Sequence, residues 1–180
     1  MQSVIQEAIK TMKKGGVILY PTDTVWGLGC DATNPIAVNK VYSIKRREES
    51  KALITLVSDE EMLYKYTNYI PNFNFTEQPT TIIYPKVVGL SKNLLPEDGS
   101  AAIRIPKDLF CIQLIQTFGK AIVSTSANIS GKESPKQFLD ISNHIKNNVD
   151  YIVNLRKNEI MEKPSSIIKL EENGKIKKLR

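Results

Sequence analysis

The run Val17-Ile-Leu-Tyr20, followed at once by Pro21-Thr-Asp-Thr-Val-Trp-Gly-Leu-Gly29, constrains this chain more than any other stretch. Four apolar residues read as a buried strand. The proline lacks a backbone donor, so the strand ladder ends there. Beyond it lie hydroxyls at Thr22 and Thr24, a carboxylate at Asp23, one tryptophan and the glycines Gly27 and Gly29. A surface turn is one reading. Yet Val25, Trp26 and Leu28 are too apolar for a solvated turn, and open α/β sheets hold ligands where polar groups gather at a strand end. On that second reading, Gly27 and Gly29 let the backbone approach a ligand or take a positive φ.

Helix and strand signals alternate along the rest of the chain. Ser3-Val-Ile-Gln6 has capping-box form, and Val4, Ile5, Ala8, Ile9 and Met12 recur at helical spacing until Gly15-Gly16. Asn34-Pro35 predicts the start of a second helix that ends near Lys45-Arg46-Arg47. Ser58–Glu61 opens a third. Asp108 caps a fourth with Leu109, Ile112, Ile115 and Phe118 inward, and Ser134-Pro135 begins a fifth that reaches about Ile145. Strands are expected at 17–20, 53–57, 80–84, 100–105, 121–125, 151–153 and 165–170, and Asn173-Gly174 signals a hairpin into 175–179. This alternation predicts an α/β fold in a single domain over residues 1–180, built on a twisted mixed sheet.

At 180 residues the chain suits one domain with a full core. No apolar run approaches the length of a membrane span, and the N-terminus lacks the order of a signal peptide. Cys30 and Cys111 stand far apart and read as reduced, structural thiols of a cytoplasmic protein. The formal charge of +6 favours anionic partners. Much of it lies in 156–180, where eight cations against four anions leave +4. That segment reads either as a solvated basic edge strand or as a surface for RNA phosphates. His144, the sole histidine, sits in a polar segment and reads as a surface residue. There is thus no histidine triad or metal cluster to build, and no phosphate-binding glycine loop is present. Adenylation of a carboxylate meets these conditions, since the protein there mainly orients reactants and stabilises charge.

Several side chains keep two readings each. Lys45 and Arg47 either complement a helix C-terminus or contact an anion. Arg104, set among apolar residues, is either a paired core arginine or a phosphate contact. Ser126 and Asn128 form a strand-to-turn cap, with Asn128 tolerating the left-handed conformation, or a ligand loop. Trp26 is core or pocket wall.

Five stretches, in order and spread over nearly the whole chain, resemble the YrdC-like family, the threonylcarbamoyl-AMP synthases of tRNA modification. They are PTDTVWGLG at 21–29, IKRR at 44–47, IRIP at 103–106, STSANISG at 124–131 and PSSIIKL at 164–170. The resemblance implies a twisted open sheet with helices around a basic concave cavity. It further implies a nucleotidyltransferase that joins L-threonine, bicarbonate or CO2, and ATP into threonylcarbamoyl-AMP and pyrophosphate. Lys45 and Arg47 would be the catalytic cations; with Thr22, Thr24 and Ser165 they would hold threonine and the carbamate. Thr81, Arg104, Ser126, Asn128 and Arg180 would hold ATP, and Mg²⁺ would come with the nucleotide, without protein ligands of its own. The implied partners are tRNA and a downstream threonylcarbamoyl transferase complex. Some relatives carry a second domain after the matched region; here the chain stops at Arg180. Departures are Trp26 for a tyrosine, Arg46 for a glycine, Glu48 and Ala52 for prolines, and Glu77-Gln78 in a segment otherwise like P-G-P-x-T. Lys51 keeps the family's basic residue. Two rivals remain: a non-catalytic module for structured RNA, and a paralogue that adenylates a different carboxylate.

Overall fold

The computed structural model describes residues 1–47, 53–71 and 78–179. Helix α1 (Gln2–Lys13) buries Ile5, Ala8, Ile9 and Met12, as their spacing predicts. Its capping box does not form: Met1 takes the N-cap position, two residues ahead of the expected Ser3, with no side-chain bond there. The other helices start where a short polar side chain takes up free backbone amides. Asn34 accepts from the amides of Ile36 and Ala37 to open α2 (Pro35–Lys45). Asp59 opens the single-turn α3 (Glu60–Leu63), and Asp108 opens α4 (Leu109–Phe118), which Gly119 closes in the left-handed conformation.

Two helices depart from the sequence reading. In α4 the buried stripe is Phe110, Cys111, Leu114, Ile115 and Phe118, while Leu109 is 59% exposed and Ile112 half-buried. Ile115 and Phe118 face inward as expected, whereas in the first two turns packing buries Phe110, Cys111 and Leu114 in place of Leu109 and Ile112. The expected helix from Ser134 to Ile145 is instead a 3₁₀ turn at Phe138–Asp140 and a separate α5 (Asn143–Asn148). The carbonyl of Lys136 accepts from the Met161 amide, which ties that stretch outside any helix. The Ser142 hydroxyl then accepts from the Ile145 amide and starts α5 afresh.

Among the described residues, nine strands form one mixed sheet. Its order is β7 (Tyr151–Ile152), β1 (Ile18–Tyr20), β2 (Gly27–Gly29), β6 (Ile122–Ser126), β3 (Ile54–Leu56), β5 (Ala101–Arg104), β4 (Thr80–Tyr84), β8 (Ser166–Leu170) and β9 (Ile176–Lys178). The pairs β1–β7, β3–β5 and β4–β8 are parallel and the others antiparallel. α1 packs on α4, β1 and β7, and α2 packs on α5. Every residue of β1 is fully buried, which fits a strand covered on both faces. β9 is an exposed edge, with Lys177 directly opposite Lys169 on β8. Cys30 and Cys111 are free, buried thiols, and burial pushes both up from their ordinary range. No described helix is long and apolar enough to cross a membrane.

The stretch Gly27-Leu28-Gly29, expected as the end of a ligand loop, is itself a strand, and neither glycine has a positive φ. Their role is steric. The ring of Tyr20 lies across β2, so that a Cβ on Gly29 would stand 2.6 Å from Tyr20 Cε1 and 3.1 Å from the Val123 carbonyl oxygen. At Gly27 the nearest atoms are 3.4 Å away. Gly29→Ala is therefore expected to cost about 1–3 kcal/mol through overpacking. Gly27→Ala should cost clearly less, and urea-unfolding midpoints of the two variants measure the difference.

Candidate functional site

Strand register gathers polar side chains on one face of the sheet. Ile54 pairs with Ser124, and Ser126 lies two residues along the same strand; Thr81 pairs with Ile167, two residues beyond Ser165. A cavity of about 240 Å³ opens against this face. The loop after β1 brings Thr22 and Thr24 to it, the end of α2 brings Arg47, the end of β5 brings Arg104, β6 brings Ser124 and Ser126, and the start of β8 brings Ser165. Two guanidinium groups and several hydroxyls line the cavity, with no carboxylate among its described lining residues. A larger cavity, about 330 Å³, lies against the other face beside Ile82, Tyr84 and Ile103. It is more apolar, and Arg104, whose strand end borders both spaces, is the one expected site residue it holds.

The Thr22–Val25 loop is a turn closed by one hydroxyl. Thr22 Oγ1 donates to the Val25 carbonyl at 2.7 Å and accepts from the amides of Thr24 and Val25 at 3.0 and 3.2 Å. Thr24 Oγ1 lies 2.9 Å from it. Between them, Asp23 accepts from Arg104 Nη1 at 2.5 Å and from the Lys107 amide at 3.0 Å. The Arg104 and Asp23 side chains are only 3% and 10% exposed. Arg104 is thus the paired, buried arginine of its first reading, and it also forms part of the cavity wall.

Lys45 stands behind the wall, outside the cavity lining. Its Nζ donates to the carbonyls of Ser126 at 2.5 Å and Asn128 at 2.8 Å. Asn128 also stays out of the lining. Its Oδ1 accepts from Ser126 Oγ, and its Nδ2 donates to the carbonyls of Ile129 and Lys132, without a left-handed backbone. Burial, followed by the nearby charge of Arg47, lowers the Lys45 amine to about 7. A neutral amine retains two N–H groups, which match the two carbonyls it meets. Thr81, fully buried, holds Ser165 from behind, hydroxyl to hydroxyl, at 2.8 Å.

Other expectations resolve more simply. Trp26 is fully buried and tilted against the Phe138 ring, with centroids 5.0 Å apart, so it is core and not pocket wall. His144 is half-buried, not a free surface residue, with Nε2 3.0 Å from the Ile44 carbonyl near the end of α2. Arg180, Lys51, Glu48, Ala52 and Glu77 lie outside the described residues. Sequence reasoning passed over Ser124, Ser134 and Ile167 as cavity residues, and Asp23 as the partner of Arg104. Period-two alternation could have found Ser124 and Ile167, because each lies two residues from an expected site serine on its strand. Among the described residues no group of three or more His, Cys, Asp or Glu side chains could hold a metal ion.

A family model described as Telomere recombination, and named for Sua5, YciO and YrdC, matches residues 10–180. The chain is similar to a putative threonylcarbamoyl-AMP synthase of Methanocaldococcus jannaschii, 35% identical over 178 residues, covering 96% of this chain and 83% of that protein. It is likewise 35% identical over 160 residues to the threonylcarbamoyl-AMP synthase of Pseudoalteromonas translucida, covering 84% of this chain and 86% of the relative. The fold superposes on the crystal structure of P. abyssi Sua5 complexed with L-threonine with a TM-score of 0.84 at 25% identity. That match covers 98% of this chain and 53% of the other, so this chain spans about half the length of that Sua5.

The buried amine gives a pH test. With its pKa lowered in the folded protein, Lys45 binds fewer protons than in the unfolded chain between about 7 and its ordinary value near 10.4. Its contribution to stability is therefore least favourable below about 7 and improves as pH rises through that window. Lys45→Met loses the two carbonyl contacts at every pH but has no amine to titrate. Melting temperatures of both proteins across the window should show the wild type gaining on the variant as pH increases; parallel curves would contradict it.

Proposed function

The chain belongs to the Sua5–YciO–YrdC family, and from that premise we propose that it forms threonylcarbamoyl-AMP and pyrophosphate from L-threonine, bicarbonate or CO2, and ATP. One observation carries the reading. Thr22, Thr24, Arg47, Arg104, Ser126 and Ser165, drawn from five separate stretches, meet at one cavity whose described lining has no carboxylate. Such a wall suits a substrate that is anionic at several points.

The chemistry asks for no protein nucleophile. The amine of threonine adds to CO2 and loses a proton to give a carbamate. A carbamate oxygen then attacks the α-phosphorus of ATP, and the bond to pyrophosphate breaks. In this assignment Thr22, Thr24, Ser165 and Arg47 surround threonine and the carbamate. Arg104 and Ser126 face the phosphates, with Asn128 behind Ser126, while Thr81, assigned to ATP by resemblance, stands behind Ser165. Lys45 contributes by holding the Ser126–Asn128 turn, and Arg180 is assigned to ATP by resemblance alone. The described lining of the cavity offers no carboxylate to a metal, so Mg²⁺ would ride on the phosphates and water of ATP itself. At about 240 Å³ the cavity is smaller than the roughly 300–1,000 Å³ of common small-molecule sites, which fits the amino acid and phosphates inside with the nucleoside at the mouth. The product then passes to a transferase complex acting on tRNA in the cytoplasm, and the basic segment 156–180 is where tRNA contact would fall.

Pyrophosphate release from ATP and Mg²⁺, with L-threonine and bicarbonate withheld in turn, tests the proposal. Release should require both; release that ignores threonine would overturn the substrate while leaving the fold intact. Arg47→Ala should lower kcat/KM roughly 10- to 150-fold, the equivalent of one lost charge-assisted hydrogen bond. Arg47→Lys should be impaired as well, since an ammonium cannot reproduce a two-pronged contact.

A further inference from the structure

Arg156 combines a costly backbone with an engaged side chain. Its φ of 54° lies in the left-handed region, which only glycine enters freely. It follows β7 and stands where the chain passes the end of β1. There its guanidinium meets three groups. Nη1 donates to Asp108 Oδ2 at 2.6 Å and to the Thr22 carbonyl at 3.3 Å, and Nε donates to Glu159 Oε2 at 2.7 Å. Asp108 is at the same time the N-cap of α4, its other oxygen accepting from the Cys111 amide. Glu159 is linked to Arg156 a second time through its own amide, which donates to the Arg156 carbonyl.

Thr22 is the residue whose hydroxyl closes the cavity loop, and its carbonyl is the loop atom that Arg156 takes. We propose that Arg156 is a positioning residue: it holds the Thr22 carbonyl against the capped end of α4 and so fixes the Thr22 and Thr24 hydroxyls at the cavity wall. The left-handed turn aims the guanidinium at the loop, and its three bonds offset the strain of that turn. Glycine would form the same turn without strain and without any grip on the loop. The proposal rests on the preceding assignment of threonine to this loop.

Arg156→Gly separates the turn from the grip, because the fold loses no backbone conformation it needs. Two readouts are required. In the wild-type and variant full-length chains, amide hydrogen exchange reports on Thr24 and Val25, whose N–H groups are held by Thr22 Oγ1. In steady-state pyrophosphate release, the KM for L-threonine is compared with kcat and with the KM for ATP. Exchange at Thr24 and Val25 should quicken roughly tenfold, the size of one lost hydrogen bond, while Leu19 in β1 stays protected. The KM for threonine should rise by a similar factor, with kcat and the KM for ATP nearly unchanged, and Arg156→Lys should restore part of it. Unchanged exchange at Thr24 and Val25, or a uniform increase that includes Leu19, overturns the positioning role. If the wild type shows no threonine-dependent release, the functional assignment falls, and the exchange measurement alone then decides what Arg156 does to the loop.

Discussion

The ion pair of Asp23 with Arg104 is the contact on which the site depends. Both groups lie almost wholly out of water, at the junction of the loop after β1 with the end of β5. Desolvating two charges is expensive, and their attraction compensates only when geometry and additional hydrogen bonds are favourable. The Lys107 amide supplies one such bond to Asp23, and Arg104 Nη2 reaches Thr24 Oγ1 at 3.4 Å. Loss of either partner would leave a buried charge uncompensated, a far larger penalty than the pair's net worth. The pair fixes the loop because the loop cannot move without separating the charges.

The other walls of the cavity are fixed from behind in the same manner. Lys45 holds the Ser126–Asn128 turn by its carbonyls, Arg156 takes the carbonyl of Thr22, and Thr81 meets Ser165 hydroxyl to hydroxyl. Groups set behind the backbone hold the hydroxyls of Thr22, Ser126 and Ser165 in fixed places, and polar groups placed in advance do not have to reorganise when charge develops. This division of labour separates Lys45 from Arg47 although they stand two residues apart. One builds a wall; the other faces the cavity.

Local chemistry made much of the fold legible. Asn34, Asp59 and Asp108 are short acceptors at helix starts, and the structure uses each as a cap. Period and turn signals also located most strands, including the hairpin at Asn173-Gly174. What escaped were features set by distant packing. Glycine-rich β2 resembles a loop because its fitness as a strand depends on the Tyr20 ring lying across it. The face that α4 buries depends on what it packs against, and the break after Ser134 depends on a bond to Met161. At the site, the motif residues were legible as candidates, but not their depth. Spacing placed Lys45 and Arg47 together, whereas only the tertiary structure puts one behind the wall and the other in it.

At the far edge of the sheet, Lys169 and Lys177 face one another as direct cross-strand partners. Like charges so placed push apart, and Asp98, 4.0 Å from the Lys169 ammonium, relieves only part of the repulsion. Both lysines are near water, where added ions shorten the reach of a charge to about 8 Å at physiological ionic strength. The β8–β9 hairpin therefore tightens as ionic strength rises, whereas the exposed pairs Lys40–Asp150 and Lys86–Glu172 loosen. One molecule thus responds to salt in opposite senses at different places, and the hairpin that dilute solution loosens is joined through β8 to β4, which carries Thr81 beneath the site.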